Sequence, residues 1–217
     1  LIDKPNPRKQ HNLPTVRIGG ITMILGYLFA LLVTIFFQPI KENFQFSQNI
    51  QILSIIFGGL IMFLIGLADD IKGMSPWSRL VSQIGISSFL WTRGLSLYEI
   101  NFDSLGISNL IISLNPFFSY LFTVIWLVGI TNAFNWIDGL DGLAAGISFI
   151  SALSFAIFFN KVNSFELVCL SSIIVVCSIG FLKNNFYPAR IFMGDGGAYF
   201  LGFAMGSLAL CDFTSAS

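Results

Sequence analysis

Long apolar runs separated by short polar segments set the pattern of the chain. A membrane-spanning helix needs roughly 20 mostly apolar residues, and the runs at 18–38, 50–68, 117–136, 143–159 and 165–182 meet that length or come close to it. Two further runs are less regular. The run at 80–97 carries Arg93 and several serines, and 199–210 is short before Asp212. The pattern predicts an all-α, polytopic helical membrane protein with about seven spans in this segment.

The polar segments between the runs alternate sides. Residues 1–17, 69–79, 138–142 and 183–197 fall on one side, and 39–49, 95–116 and 160–164 on the other. Lys4, Arg8, Lys9, Arg17, Lys72, Arg79, Lys183 and Arg190 belong to the first side; Lys41, Arg93 and Lys161 belong to the second. Cytoplasmic segments are enriched in Lys and Arg, so eight of the 11 basic residues on one side make that side cytoplasmic. Asp69, Asp70, Asp138, Asp141 and Asp195 fall on the same face.

Composition agrees with the pattern. Of 217 residues 55% are hydrophobic and 10% charged, against roughly 25% charged in soluble domains. Mean hydropathy is +0.80. The formal net charge is zero, so nothing argues for nucleic acid as a partner. Cys169, Cys177 and Cys211 lie in apolar runs and read as packing residues; His11 is the one histidine, which excludes a histidine-cluster metal site. The opening "LIDKPNPRKQHNLP" is polar and does not read as a signal peptide. The chain is expected to be a segment of a longer protein.

Three motifs carry candidate chemistry. In "GLADDIKGMSPWSRLVSQ", Asp69 and Asp70 stand where a spanning helix ends, at the negative end of its dipole, where acids are disfavoured by some tenths of a kcal/mol each. A solvated turn is one reading; a metal-binding or proton-transfer pair is the other. Arg79 and Gln83 share a face of the following helix. In "NAFNWIDGLDGL", Asn132, Asn135, Asp138 and Asp141 recur at every third residue, so successive members sit ~60° apart around a helix and near neighbours are expected to face the same way. A glycine stop followed by an Asp N-cap accounts for some of these groups but not all four. In "NNFYPARIFMGDGGAYFLG", Asp195 among Gly194, Gly196 and Gly197 reads either as an N-cap or as a backbone-lined pocket for a phosphate and a metal. The basic opening, with Arg8, Lys9, His11 and Arg17, is a topology signal, an anionic-lipid contact or a phosphate-binding arm. Carboxylates, basic groups and exposed backbone at a lipid interface suit Mg²⁺-assisted phosphoryl transfer from a soluble donor to a lipid acceptor. A transporter would place its charged groups nearer the membrane midplane.

"GLADDIKG", "NAFNWIDGLDGLAAG" and "FMGDGGAYFLG", in this order, resemble the polyprenyl-phosphate N-acetylhexosamine-1-phosphate transferases of glycosyltransferase family 4. The segment "KPNPRKQHNLPTVRIGG" looks closer to the branch that uses UDP-GlcNAc than to the phospho-MurNAc-pentapeptide transferases. The resemblance implies a single transmembrane transferase domain over 1–217, incomplete at both ends. The family's histidine-containing loop and its last spans would fall beyond this segment. It implies attack by undecaprenyl phosphate on the β-phosphate of a UDP-N-acetylhexosamine, with UMP released, in the bacterial plasma membrane, for cell-envelope polysaccharide synthesis. Mg²⁺ would be held by Asp195, with Asn135 as second ligand. Asp69 or Asp70 would deprotonate or orient the lipid phosphate, with Asp138 an essential polar neighbour. Gly139, Leu140, Asp141 and Phe192 would line the uridine pocket, with Phe192 stacked on uracil. Asn132, Lys9 and Arg17 complete the expected substrate-binding set. Expected partners are the polyprenyl phosphate, the UDP-sugar and the membrane, with a second copy of the chain as a further candidate.

The basic asymmetry leads to a topology test. Single cysteines introduced by Lys72→Cys and Lys183→Cys are expected to react with an impermeant thiol reagent from the cytoplasmic side alone. Labelling of either from outside would break the common-face reading.

Overall fold

The computed structural model describes residues 2–3, 15–36, 50–101 and 111–214. Seven helices run through them: α1 Gly19–Phe36, α2 Ile50–Lys72, α3 Pro76–Thr92, α4 Pro116–Ile137, α5 Leu143–Lys161, α6 Phe165–Asn185 and α7 Gly194–Thr214. Two short antiparallel strand pairs accompany them, β1 Ile2–Asp3 with β2 Thr15–Val16 and β3 Glu99–Asn101 with β4 Ile111–Ser113. By length and composition α1, α2, α4, α5 and α6 could each cross a membrane. Their outward faces carry residues such as Phe29 (70% exposed) and Val176 (68% exposed), apolar surface suited to lipid rather than water. The protein is a multi-pass helical membrane protein.

Local chemistry explains the helix boundaries. Ser75 caps α3, its Oγ accepting the Ser78 N–H at 3.1 Å, with Pro76 in the first helical position. Asn115 does the same for α4, its Oδ1 accepting the Phe118 N–H at 3.0 Å ahead of Pro116. A proline there gives up only an N–H that has no partner inside the helix. The runs read from the sequence differ from the helices mainly at their polar ends. Helix α2 continues beyond the apolar run to Lys72, so Asp69 and Asp70 lie in its last turn rather than in a loop. The run at 80–97 corresponds to α3, which starts earlier and stops at Thr92, just before Arg93 and a left-handed Gly94 (φ +85°). The run at 199–210 lies within the 21-residue α7, so Asp195 is inside the first helical turn and not ahead of it.

Helix α7 is the centre of the bundle, with α1, α2, α4 and α5 packed around it. Ala198, Leu201, Phe203 and Leu208 on it are all buried. Its small residues face protein, Ala198, Ala204 and Ser207 all being buried. Gly202 lets α4 come close: a Cβ there would stand 2.8 Å from Thr131 Cα and 2.8 Å from Phe134 Cβ. Small residues at such crossings drive helix association where the lipid offers no hydrophobic contrast. Helices α3 and α4 are joined by polar pairs, with Trp91 Nε1 donating to Ser119 Oγ at 3.1 Å and the Ser88 and Tyr120 hydroxyls 2.9 Å apart.

Alternating helix direction collects the C-terminal ends of α2, α4 and α6 and the N-terminal ends of α1, α3, α5 and α7 at one end of the bundle. The closeness of α4 and α7 there is testable. Gly202→Val is expected to lower stability by about 1–3 kcal/mol, the usual scale of overpacking. Thermal unfolding in detergent would register this as a lower midpoint, and an unchanged midpoint would contradict the close crossing.

Candidate active site

The site is built around the N-terminus of α7. The first N–H groups of a helix have no partner within it and carry partial positive charge. Here they meet carboxylates from two other helix ends. Asp70, in the last turn of α2, accepts the Gly196 N–H on Oδ2 at 3.1 Å and is also bonded by the Asp195 N–H. Asp138, which caps the C-terminus of α4, accepts the N–H of Gly194. Gly194 has φ +78°, and a Cβ on it would stand 2.7 Å from Asp70 Oδ2, so both the backbone turn and the close approach need glycine. At Gly66 a Cβ would run into the backbone of Asp195, which holds the α2–α7 crossing tight at the level of the site.

Asp195 itself accepts a 2.7 Å hydrogen bond on Oδ1 from the Asn135 amide of α4, and its carboxyl is within hydrogen-bond reach of Asp69. Burial, with Asp70 adding repulsion, raises the Asp195 carboxyl above the usual carboxylate range. Arg17, just ahead of α1, lies 3.9 Å from Asp70 Oδ1 and supplies positive charge to Asp138 and Asp195 as well. Desolvation raises the Asp138 carboxyl to about 8, with Asp195 and Asp70 adding to the rise and Arg17 opposing it.

Asp69 is engaged differently. Its Oδ1 accepts the Met74 N–H at 2.6 Å, and its Oδ2 accepts from Arg79 Nη1 at 2.9 Å. Arg79 is also hydrogen-bonded to the Tyr199 hydroxyl.

The α4–α5 turn and the α6–α7 connection are clasped together. Asn185, 3% exposed, accepts the Gly142 N–H on Oδ1 at 3.1 Å and donates from Nδ2 to the Ile191 carbonyl at 2.9 Å. Asp141 Oδ2 accepts the Ala189 N–H at 2.9 Å. The connection is then stitched to the start of α1: Phe192 N donates to Val16 O at 2.9 Å, Gly19 N to Phe192 O at 3.0 Å and Gly20 N to Met193 O at 2.8 Å. Gly139 and Leu140 form the exposed tip of the α4–α5 turn, and Phe192 is half-buried at the opposite side of the clasp.

The structure therefore gathers Arg17, Asp69, Asp70, Asn135, Asp138 and Asp195 about one helix end. Asp141, Gly139, Leu140 and Phe192 sit on the two clasped connections beside it. Asn132 is turned elsewhere: its Nδ2 donates to Gln83 Oε1 at 2.6 Å and to the Val128 carbonyl at 2.8 Å, joining α4 to α3. The third-residue spacing rotates each group around α4, so Asn132 reaches α3 while Asn135 reaches α7. Asp138 caps α4 and keeps its last helical hydrogen bond, its N–H donating to Phe134 O at 3.1 Å, whereas Asp141 lies beyond the helix in the turn. Lys9, with Lys4, Arg8 and His11, lies outside the described residues. Asn185 and Tyr199 were not singled out from the sequence. Asn185 reads there as one more polar residue after a span, and Tyr199 as apolar core; its signal was a buried hydroxyl that needs a partner.

Among the described residues no three Asp, Glu, His or Cys side chains converge closely enough to hold an ion alone. The donors present are carboxylate and amide oxygens, and Asp70 Oδ1 is buried without a hydrogen-bond partner. That set fits Mg²⁺, which binds through one or two carboxylates plus substrate phosphates.

An apolar helical bundle with an acidic cluster at one end defines a polytopic helical membrane protein. The chain belongs to glycosyl transferase family 4, whose model matches residues 52–212. It is 32% identical over 96% of its length to the probable undecaprenyl-phosphate N-acetylglucosaminyl 1-phosphate transferase of Bacillus subtilis, covering 54% of that protein. It is 33% identical over 94% of its length to the decaprenyl-phosphate N-acetylglucosaminephosphotransferase of Mycolicibacterium smegmatis, covering 51% of it. A phospho-N-acetylmuramoyl-pentapeptide-transferase of Heliobacterium modesticaldum is 32% identical over 93% of the chain, with 62% of that protein covered. The chain thus spans about half the length of the first two of these relatives.

The raised Asp138 carboxyl has a direct consequence for stability. An unfolded Asp loses its proton near pH ~4, whereas folded Asp138 keeps it until about 8. The folded state binds more protons within that window, so its stability falls as pH rises through it. Asp138→Asn is expected to flatten this slope in the absence of divalent cations and to raise the unfolding midpoint most at and above pH 8. Equal midpoints for wild type and variant from pH 5 to pH 9 would contradict the burial of this carboxyl.

Proposed function

We propose that the full-length protein transfers N-acetylhexosamine 1-phosphate from a UDP-sugar, UDP-GlcNAc by preference, to undecaprenyl phosphate. The products are a sugar pyrophosphoryl lipid and UMP, formed at the cytoplasmic face of the bacterial plasma membrane for cell-envelope polysaccharide. The observation that carries this reading is the cluster of Arg17, Asp70, Asn135, Asp138 and Asp195 at the end of an apolar bundle. A lipid phosphate and a water-borne nucleotide can meet only at such a boundary.

An oxygen of the lipid phosphate forms a bond to the β-phosphorus of the donor. The bond from that phosphorus to the oxygen bridging to the α-phosphate breaks, and UMP leaves with that oxygen. Arg17 would offset the charge of the incoming phosphates. Asp195 and Asn135 would hold Mg²⁺, which when bound supplies positive charge against the charge developing on the transferring group. Gly139, Leu140, Asp141 and Phe192, on the clasped connections, would receive the uridine. A phospho-MurNAc-pentapeptide donor is the second reading, supported by the 32% identity to the H. modesticaldum relative.

Mass spectrometry of the lipid formed by the full-length protein from mixed UDP-sugars tests the proposal and separates the two donors. A HexNAc-pyrophosphoryl lipid is expected; a product bearing the pentapeptide selects the second reading, and no lipid product rejects both. In the active protein, Asp195→Asn is expected to lower kcat at least ~100-fold, the scale for losing a key electrostatic group. Near-normal turnover at limiting Mg²⁺ would remove Asp195 from the metal site.

A further inference from the structure

The charged end of the bundle is sorted by direction. None of Asp69, Asp70, Asp138, Asp141 and Asp195 is exposed, whereas Lys72, Lys183 and Arg190 all are. Arg17 and Arg79 turn inward and pair with Asp70 and Asp69. Among the described residues no carboxylate pairs with Lys72, Lys183 or Arg190. The acids are drawn inside, and three cations are left outside.

Large aromatic rings share that outer surface. Trp77 is 75% exposed, Trp136 80% and Tyr187 78%, with Phe186 exposed next to Tyr187. They come from three helix ends: the first turn of α3, the last turn of α4 and the residues just after α6. Each stands within two residues of a group that turns inward. Trp77 precedes Arg79, Trp136 lies between Asn135 and Asp138, and Phe186 and Tyr187 follow Asn185. Two helical residues cover ~3 Å along the axis. The cations keep the same spacing. Lys72 follows Asp70 by two residues, Lys183 precedes Asn185 by two, and Arg190 follows Ala189, whose N–H is held by Asp141. Rings, cations and acids therefore share one level.

The four tryptophans divide in the same way. Trp91 and Trp126 spend their indole N–H inside the bundle, on Ser119 Oγ at 3.1 Å and on the Gly206 carbonyl at 3.0 Å. Among the described residues nothing accepts the indole N–H of Trp77 or Trp136, or meets the Tyr187 hydroxyl. A ring with an apolar body and an unspent polar edge is satisfied where acyl chains give way to headgroups. Three helix ends so equipped put that boundary at the level of the acids. Cations there meet headgroup phosphates, and each Lys or Arg beside an anionic leaflet strengthens the attraction about fivefold.

We propose that this end of the bundle is a collar for anionic phospholipid: Trp77, Trp136, Phe186 and Tyr187 sit at the headgroup boundary, and Lys72, Lys183 and Arg190 hold headgroup phosphates around the acidic cluster. The collar is independent of the transferase reading. It sets the cluster at headgroup depth, where a phosphate carried on a lipid reaches it without leaving the leaflet.

The test uses the full-length protein in phosphatidylcholine bilayers, with spin-labelled phosphatidylglycerol or phosphatidylcholine as the probe. The unmodified protein is expected to hold phosphatidylglycerol at least ~5-fold more strongly, and to lose most of that preference in ~1 M NaCl. K72Q/K183Q/R190Q is expected to bring the two lipids within ~2-fold of each other, whereas K72R/K183R/R190K, which keeps the charges, retains the preference. Equal holding of both lipids by the unmodified protein would overturn the proposal. So would a full preference in the neutral triple variant, which would place the lipid contact on other residues. Inorganic phosphate at matched ionic strength is expected to leave the preference intact; displacement of the lipid by it would show a simple anion site instead of a collar. Brominated lipids give a reading that does not need the triple variant to insert. Bromines close to the headgroup are expected to quench the tryptophan fluorescence of the unmodified protein more than that of W77F/W136F, and bromines near the chain ends to quench both alike. Equal quenching by the shallow bromines would remove Trp77 and Trp136 from the boundary and overturn the collar.

Discussion

The arrangement of the site depends on how the N-terminus of α7 is satisfied. A helix that starts inside a bundle leaves N–H groups that cannot reach water, and each such group left bare costs on the order of 1–3 kcal/mol. Asp70 and Asp138 take them, and both stand at C-terminal ends of other helices, where a carboxylate is disfavoured by the local dipole. The two unfavourable situations offset one another in part, while desolvation still holds the Asp138 carboxyl up at about 8. Acids at negative helix ends are stable because a positive helix end is brought up against them, and the α7 terminus is stable because those acids receive it. Moving α7 by one turn would leave bare N–H groups and unopposed carboxylates together.

That constraint explains why so much glycine gathers here. Gly194 must adopt a left-handed turn and also make room for Asp70, and Gly66 must let the backbone of Asp195 lie against α2. A side chain at either place would push α7 away from the carboxylates that cap it. Lower in the bundle, Gly202 keeps α4 close enough for Asn135 to reach Asp195. Packing and electrostatics are therefore linked: the small residues set the distances at which the charges compensate one another.

The site also shows how a polar cluster is made tolerable beside lipid. Apart from Asp70 Oδ1, most of its polar groups are tied to something else, and most ties run between helices. Asn185 joins two connections, Asp141 joins the same two, and Arg79 joins α3 to both α2 and α7. The proposed phosphate-handling role would call for fixed carboxylates, nearby positive charge and an apolar surround that keeps the dielectric low, and these stand together at this end of the bundle.

Much of this could be read along the chain. Apolar length placed the helices, because burying a span in lipid requires a continuous stretch of one character. The parity of the polar segments put Asp69, Asp70, Asp138, Asp141 and Asp195 at one end, and the structure gathers them there, since helices of alternating direction bring every second terminus to the same side. What periodicity could not supply was partnership. Asn132 and Asn135 differ by three positions yet face different helices, and Asp69 and Asp70 are neighbours with different surroundings. Tyr199 opens an apolar run, yet its hydroxyl meets Arg79. Spacing along one helix fixes a direction relative to that helix alone; which neighbour lies in that direction is decided by how the helices pack, and for this protein by the depth at which α7 is drawn in between α2 and α4.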